Sequence, residues 1–288
     1  MNHDYDAELR KEIRKFISAC HILHHHGILD AYGHLSFRHP LKPDIFLMSR
    51  SIASALVSSS DDLIQYYVAD CRPLIPSKLS ESYLERFIHS EIYKQYPNIN
   101  SVVHSHSETV IPYTVNRVRL RPVMHLAGFL RPKGPPVWDI AAVQVQKKFA
   151  VTGREDLSQV LEPPREDQVD ILVKDEYYGR KLAYSFAQGG AVTLMRGHGF
   201  TAVGDSIEMA VFRAIYTEKN ARTLTASMVG QESARATMSF GTGSDPGIYT
   251  LSRQEALASN DVVEATLQRP WDLWVREVEV LPLYRNNA

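Results

Sequence analysis

The chain has 288 residues, 44% hydrophobic and 23% charged, with 15 Gly and 15 Pro, a usage that excludes collagenous, mucin-like and low-complexity classes. Lys+Arg 32 against Asp+Glu 33 leaves no basic footprint for nucleic acid or acidic membrane, and two cysteines, Cys20 and Cys71, are too few for a disulfide framework or a CxxC zinc site. No apolar run reaches the length of a membrane span, and the opening MNHDYDAELRKEIRK carries charge where a signal peptide needs an apolar stretch, so a cytoplasmic setting is expected.

Leu9, Ile13, Phe16, Cys20 and Leu23 recur every three to four residues, which predicts an amphipathic helix over about 6–26 that stops at Gly27. Short alternating segments follow at 34–38, 45–48 and 63–68, separated by Pro, Asp and Ser, and read as strands. Ser58 to Asp62 reads as a turn and cap. A second helix is expected over about 80–96, with Leu84, Ile88 and Ile92 four apart and Pro97-Asn98 at its end. A strand at 101–106 comes next, then loops at 131–136 and 153–169. Ala191 to Met195 is a buried-strand pattern that runs into the turn Gly197-His198-Gly199 and a further strand. Asp205 and Glu208 suggest a capping box opening a helix over about 206–227, with Ile207, Val211 and Ile215 on one face. Gly241-Thr242-Gly243 is too short for a phosphate loop, and a helical stretch over 252–278 carries Trp271 and Trp274, which read as core or subunit contact. With no internal repeat, the expected organisation is one main domain over 1–227 and an extension over 228–288, packed on that domain or a neighbouring subunit and covering the active-site pocket.

The 12 histidines are the unusual feature. His104 and His106 lie two apart on a predicted strand, so both imidazoles share a face and can converge on one ion. Spacing alone is weak evidence, because a chain this rich in His contains about 0.5 such pairs by chance. His24 and His26 have the same spacing on a helix, where positions i and i+2 diverge. Together with His21 and His25 they are expected to face solvent at a helix end. Two further features favour a site at His104 and His106. Glu85 and His89 are four apart on the preceding helix, and His198 sits between two glycines that leave access to an ion open. Three His and a displaceable Glu make a metal site of the catalytic kind.

The ordered motifs Gly33-His34-Leu35-Ser36-Phe37-Arg38, Glu85-x-x-x-His89, His104-Ser105-His106 and Arg196-Gly197-His198-Gly199 resemble the class II aldolase/adducin-head family over roughly 6–225. The resemblance implies an α/β fold in three layers, a largely antiparallel central sheet flanked by helices, usually assembled as a homotetramer. It also implies that His104, His106 and His198 are ligands of one divalent ion per subunit, zinc or manganese with iron as the alternative. Glu85 falls at the family's catalytic acid/base. A tyrosine commonly serves there as a second acid, for which Tyr216 is the candidate; helix packing beside Ile215 is its competing reading. The sugar-phosphate aldolases of the family cradle phosphate with Gly-Asn-x-Ser, a Thr/Ser-Gly turn and a Ser-Ser pair before the Glu. Here His34 replaces the Asn, Met48-Ser49-Arg50-Ser51 replaces the turn, and Tyr83-Leu84 precede Glu85, so the pattern argues against a phosphorylated substrate. Gly33 to Pro40, Arg121-Pro122-Val123-Met124-His125, Pro136 to Ile140 and Trp271-Asp272-x-Trp274 look closest to the hydroxypyridine-dicarboxylate decarboxylases.

The expected activity is therefore a metal-dependent carbon–carbon lyase that decarboxylates a hydroxylated aromatic or 2-oxo/hydroxy carboxylate, a small-molecule substrate. His34 and Arg50 are expected to orient its carboxylates, with Ser49 and His125 lining the pocket; a structural ion pair is the competing reading for Arg50. Retro-aldol cleavage of a non-phosphorylated hydroxy-ketone or hydroxy-acid uses the same parts. A non-haem-iron oxygenase is a further alternative, and a non-catalytic adducin-like interaction module is the reading that the four intact metal-site residues oppose.

Overall fold

The computed structural model describes residues 2–144, 170–187, 189–237 and 247–288. Helix α1 (Asn2–His25) buries Phe16, Ile17, Ile22 and Leu23 completely. It ends where Gly27 takes φ +71°: the Gly27 N–H donates to His24 and the Ile28 N–H to Leu23, a pairing that satisfies the last carbonyls of the helix. Strands β1 (His34–Arg38), β2 (Ile45–Ser49) and β3 (Leu63–Tyr67) form an antiparallel meander. Helix α2 (Arg86–Gln95) leads to β4 (Ser101–Ser105), the short α3 (Pro112–Val115) and β5 (Val137–Trp138). Then come α4 (Glu176–Ala183), β6 (Val192–Met195), β7 (Gly199–Gly204), α5 (Ile207–Thr237), α6 (Arg253–Thr266) and α7 (Gln268–Glu279).

Among the described residues the sheet has seven strands in the order β3-β2-β1-β4-β7-β6-β5, and every pair is antiparallel except β5 with β6. Leu35, Phe37, Leu47, Val103, Phe200 and Ala202 point to one face and pack on α1, α5 and α7. Phe46, Met48, Val102, Met195 and Val203 point to the other, against Ile88, Ile92 and Tyr93 of α2 and Leu182 of α4. The result is three layers, helix, sheet and helix, as the family resemblance implies. Helices cover both faces, so a buried polar residue on the α2 face is stabilised by partners within the protein. Arg38 shows this: its guanidinium donates to the carbonyls of Pro43, Tyr93, Tyr96 and Ile99.

Four local expectations are corrected. The helix expected from 80 starts at Arg86, because residues 76–81 form a separate 3-10 segment, Ser82 takes extended backbone with its hydroxyl accepting from Tyr66, and the Tyr83 hydroxyl donates to the Ile52 carbonyl. Helix α5 runs to Thr237 and is capped by the Ser206 hydroxyl, which accepts from the Met209 N–H, rather than by Asp205. The stretch 252–278 is two helices, and the first opens with a capping box between Ser252 and Glu255. The histidines at the end of α1 do not simply face solvent. His21 pairs with the Val57 carbonyl, His24 with the Tyr284 hydroxyl and His26 with Glu277, so this cluster anchors the C-terminal segment.

Trp271, Trp274 and Val278 of α7 are buried in the core cluster that contains α1 and α5, and α6 packs on the segment 125–130. The described part of the extension therefore lies on the sheet face opposite the α2 layer. It does not cover the His104 side within one chain. The expected loop at 153–169 and Gly241-Thr242-Gly243 fall outside the described residues.

Candidate metal centre

His104 is the fourth residue of β4, on the same face as Val102, so its fully buried ring enters the α2 layer. His106 lies two residues further on, beyond the end of the strand. His198 reaches the same point from the β6–β7 turn. There Gly199 has φ +152°, and a Cβ on it would stand 1.9 Å from the Ser105 carbonyl oxygen. Only glycine permits that approach of the turn to β4, and the approach is what delivers His198.

The three Nε2 atoms lie 3.1 Å (His104 to His106), 3.3 Å (His104 to His198) and 3.2 Å (His106 to His198) apart. Glu85 brings its Oε2 to 3.5 Å from His104 Nε2 and 3.4 Å from His198 Nε2. One ligand atom from each of the four residues lies within 4.8 Å of all the others. A tetrahedral zinc ion with nitrogen ligands at about 2.0–2.1 Å sets those nitrogens roughly 3.3–3.4 Å apart, so the tripod has the spacing such an ion requires. Three mutually adjacent ring nitrogens cannot each find a hydrogen-bond partner among themselves, whereas a shared cation satisfies all of them. The donor set thus fits a divalent metal.

The outer contacts orient these side chains. His106 Nδ1 is 3.3 Å from Asp30 Oδ1, and the same oxygen accepts from the Tyr32 and Gly33 N–H groups. His104 Nδ1 is 3.4 Å from the Thr201 hydroxyl. Such partners set tautomer and ring orientation at metal sites. Glu85 sits at the N-cap position of α2, and its Oε1 accepts from the Val173 N–H at 2.8 Å, which leaves Oε2 for the imidazoles. Burial works against its charge, yet the His104 and His198 side chains hold its carboxyl well below the usual carboxylate range. Burial pushes His104 down to about 4, so its ring is neutral at pH 7, the form that binds a metal.

His34 stands beside the cluster. Its ring centroid is 5.0 Å from that of His104 and 4.7 Å from that of Tyr83, and its Nδ1 bonds to His89 Nε2 at 2.8 Å. Ser49 is at one remove: it touches the Tyr83 hydroxyl, not the imidazoles. The structure does not bring Arg50, His125 or Tyr216 to the centre. The Arg50 guanidinium is held by Asp62 at 3.0 Å, the ion-pair reading. His125 is exposed at the start of a 3-10 segment and offers its carbonyl to Ser259 of α6. Tyr216 packs in the opposite helical layer against Phe212 and Trp274, with centroids at 4.4 and 6.4 Å. Sequence reading missed Asp30, whose signal is the Asp-x-x-Gly spacing of an Asx turn directly ahead of Gly33-His34. It also missed Thr201 and Val173, which carry no signal, because only strand register and chain return place them here.

The family described as the class II aldolase and adducin N-terminal domain matches residues 14–225, and the chain belongs to it. The chain is 45% identical to decarboxylase tropJ of Talaromyces stipitatus over 283 residues, 96% of this chain and 97% of that one. It is 26% identical to 3,4-dihydroxyphthalate decarboxylase of Arthrobacter keyseri over 209 residues, 68% of this chain and 71% of that one. Among solved structures, the L-fuculose 1-phosphate aldolase of Glaciozyma antarctica superposes with a TM-score of 0.66 at 18% identity, covering 98% of this chain and 94% of that one. An aldolase II superfamily protein of Pseudomonas syringae gives 0.68 at 16% identity, covering 96% and 95%. The last two establish the fold. Family and relatives together make the chain an enzyme, a lyase of the decarboxylase kind.

Proposed function

We propose that the enzyme decarboxylates a hydroxylated aromatic carboxylate at the centre formed by His104, His106, His198 and Glu85. The carrying observation is the Glu85 oxygen set 3.4–3.5 Å from two of the three converging imidazoles, beside the wall formed by His34. The relatives named as decarboxylases, one of them acting on a dihydroxyphthalate by its name, support an aromatic acid with adjacent hydroxyl and carboxylate groups. A divalent cation bound to the three imidazoles supplies Lewis-acid polarisation of an oxygen next to the leaving carboxylate.

The charge state of Glu85 orders the proton steps. Held ionised, it acts first as a base and takes the proton of the substrate hydroxyl. It then returns that proton to the ring carbon that bears the carboxylate, the carbon–carbon bond breaks, and carbon dioxide leaves with the bond's electron pair restored to the ring. The phenolate that remains takes a proton from solvent. His34, walled by Tyr83 and His104, faces the substrate carboxylate. Three imidazoles with a carboxylate suit zinc or manganese as the ion, and the family resemblance carries a homotetramer as the assembly.

The test is carbon dioxide release by zinc- and manganese-loaded enzyme from ortho-hydroxylated aromatic carboxylates, with metal-stripped enzyme and Glu85→Gln as controls. Release that needs both metal and Glu85 supports the reading. Cleavage of non-phosphorylated hydroxy-ketones without carbon dioxide from any carboxylate overturns it in favour of retro-aldol chemistry.

A further inference from the structure

Behind His34 runs a buried chain of side chains that the metal chemistry leaves unused. His34 Nδ1 and His89 Nε2 are 2.8 Å apart, His89 Nδ1 and Ser36 Oγ 2.6 Å, and Ser36 Oγ and Tyr93 OH 2.7 Å. All four residues are sealed, with exposures of 2%, 0%, 0% and 1%. His34 apart, the rule is simple: Ser36, His89 and Tyr93 satisfy their side-chain polar atoms within this run of contacts.

The direction of the protons follows from the Tyr93 end. A buried phenol must donate its proton, and the acceptor beside Tyr93 OH is Ser36 Oγ. The other group on that oxygen is the Val102 backbone, in a bond that favours the phenolate and is therefore an N–H donated to it. Ser36, receiving from Tyr93, gives its own proton to His89 Nδ1. A ring that accepts on Nδ1 carries its single proton on Nε2, and that is the state of His89. That proton is donated to His34 Nδ1, and the proton of neutral His34 is left on Nε2. This nitrogen is the one polar atom of His34 that this run of hydrogen bonds leaves without a partner. The ring that carries it lies against His104.

We propose that Tyr93, Ser36 and His89 are positioning residues that lock His34 as an Nε2–H donor, which makes the site selective for a substrate bearing an anionic oxygen next to its metal-chelating oxygens. This deepens the decarboxylase reading, because the carboxylate to be lost is such a group. A donor fixed in this direction favours a carboxylate over a neutral ring position. A ring free to exchange its two tautomers would present an acceptor lone pair part of the time and repel the same carboxylate.

The experiment is equilibrium binding by calorimetry to zinc-loaded enzyme with two probes, 2,3-dihydroxybenzoate and catechol, which share a vicinal diol and differ by the carboxylate. The wild-type enzyme is expected to prefer the carboxylate by about tenfold, the worth of one charge-assisted hydrogen bond. The double variant Ser36→Ala/Tyr93→Phe removes both hydroxyls without leaving a buried phenol unpaired. It is expected to keep its zinc and its catechol affinity while the preference falls about fivefold. His34→Ala should abolish the preference, and His34→Gln, which restores an N–H donor of similar reach, should recover most of it. The proposal is overturned if the wild-type enzyme shows no preference, if His34→Ala retains it, or if the double variant keeps it in full. Should carbon dioxide release fail while this pattern holds, the decarboxylase reading falls and the tautomer lock stands.

Discussion

At the scale of single residues, the centre is a convergence of groups that differ in how replaceable they are. His198 is one of three nitrogens at 3.1–3.3 Å separations, so His198→Ala should drop bound zinc, measured by elemental analysis of dialysed enzyme, from about one ion per chain to nearly none. Glu85 differs, because Val173 holds one of its oxygens at the start of α2 while the other lies 3.4–3.5 Å from the imidazoles. Glu85→Gln keeps the shape and removes the base. It should leave zinc content intact and lower kcat by about 10²- to 10⁴-fold; loss of zinc with the activity would instead make Glu85 a structural ligand. Asp30 acts through His106. Asp30→Asn should weaken zinc about 10- to 100-fold in a competition titration with a chelating dye. These roles were unequally visible in the sequence. His104-x-His106 announces a shared strand face, and the glycines flanking His198 announce access. Tyr216 carried a plausible address on the helix after His198, but helical phase turns it toward Phe212 and Trp274.

At the scale of elements, periodicity located the helices because each lays an apolar face on the sheet, whereas the strands, buried on both faces, were marked off by the turn residues between them. It could not locate their ends. The start of α2 is set by Tyr66 and Ile52, residues distant in sequence that hold Ser82 and Tyr83, and no local pattern reports such contacts. Nor did periodicity reveal which face the last helix covers. Helix α7 buries Trp271, Trp274 and Val278 while Leu273 is 58% exposed, an amphipathic stripe docked on α1 and α5. Trp274 meets Phe212, Tyr216 and His26, so Trp274→Ala should cost about 3–5 kcal/mol in urea unfolding. Leu273→Ala on the outer side should stay within about 0.5 kcal/mol. Because α7 lies on the face opposite His104, the zinc affinity of folded Trp274→Ala should match the wild type; a weakened site would show that the extension reaches the centre after all.

For the molecule as a whole, enclosing a polar face between two helical layers ties folding to pH. His89 is pushed down to about 3 and His104 to about 4, in both cases by burial first, and His21 and His34 are lowered by burial as well. The unfolded chain returns each ring to its ordinary value near 6.5. Between the folded and unfolded values the unfolded state binds more protons, so stability rises with pH. It is fully present above about 6.5 and is lost progressively as pH falls below it. Each fully neutral buried ring contributes up to about 1.4 kcal/mol per pH unit in that window. The carboxylates held low, Glu85, Asp62 and Asp170, have the opposite charge but the same direction, since their stabilisation is present above about 4 and lost below it. They are therefore silent between pH 7.5 and 5, and a change there reports the histidines. Metal-stripped enzyme should show a urea midpoint that is level from pH 7.5 to about 7 and then falls steadily to pH 5. Bound zinc should steepen the fall, because protons compete with the ion for the same nitrogens. An unchanged midpoint at pH 5 in the stripped enzyme would mean that the histidines are hydrated and that the polar layer between sheet and α2 is open to water.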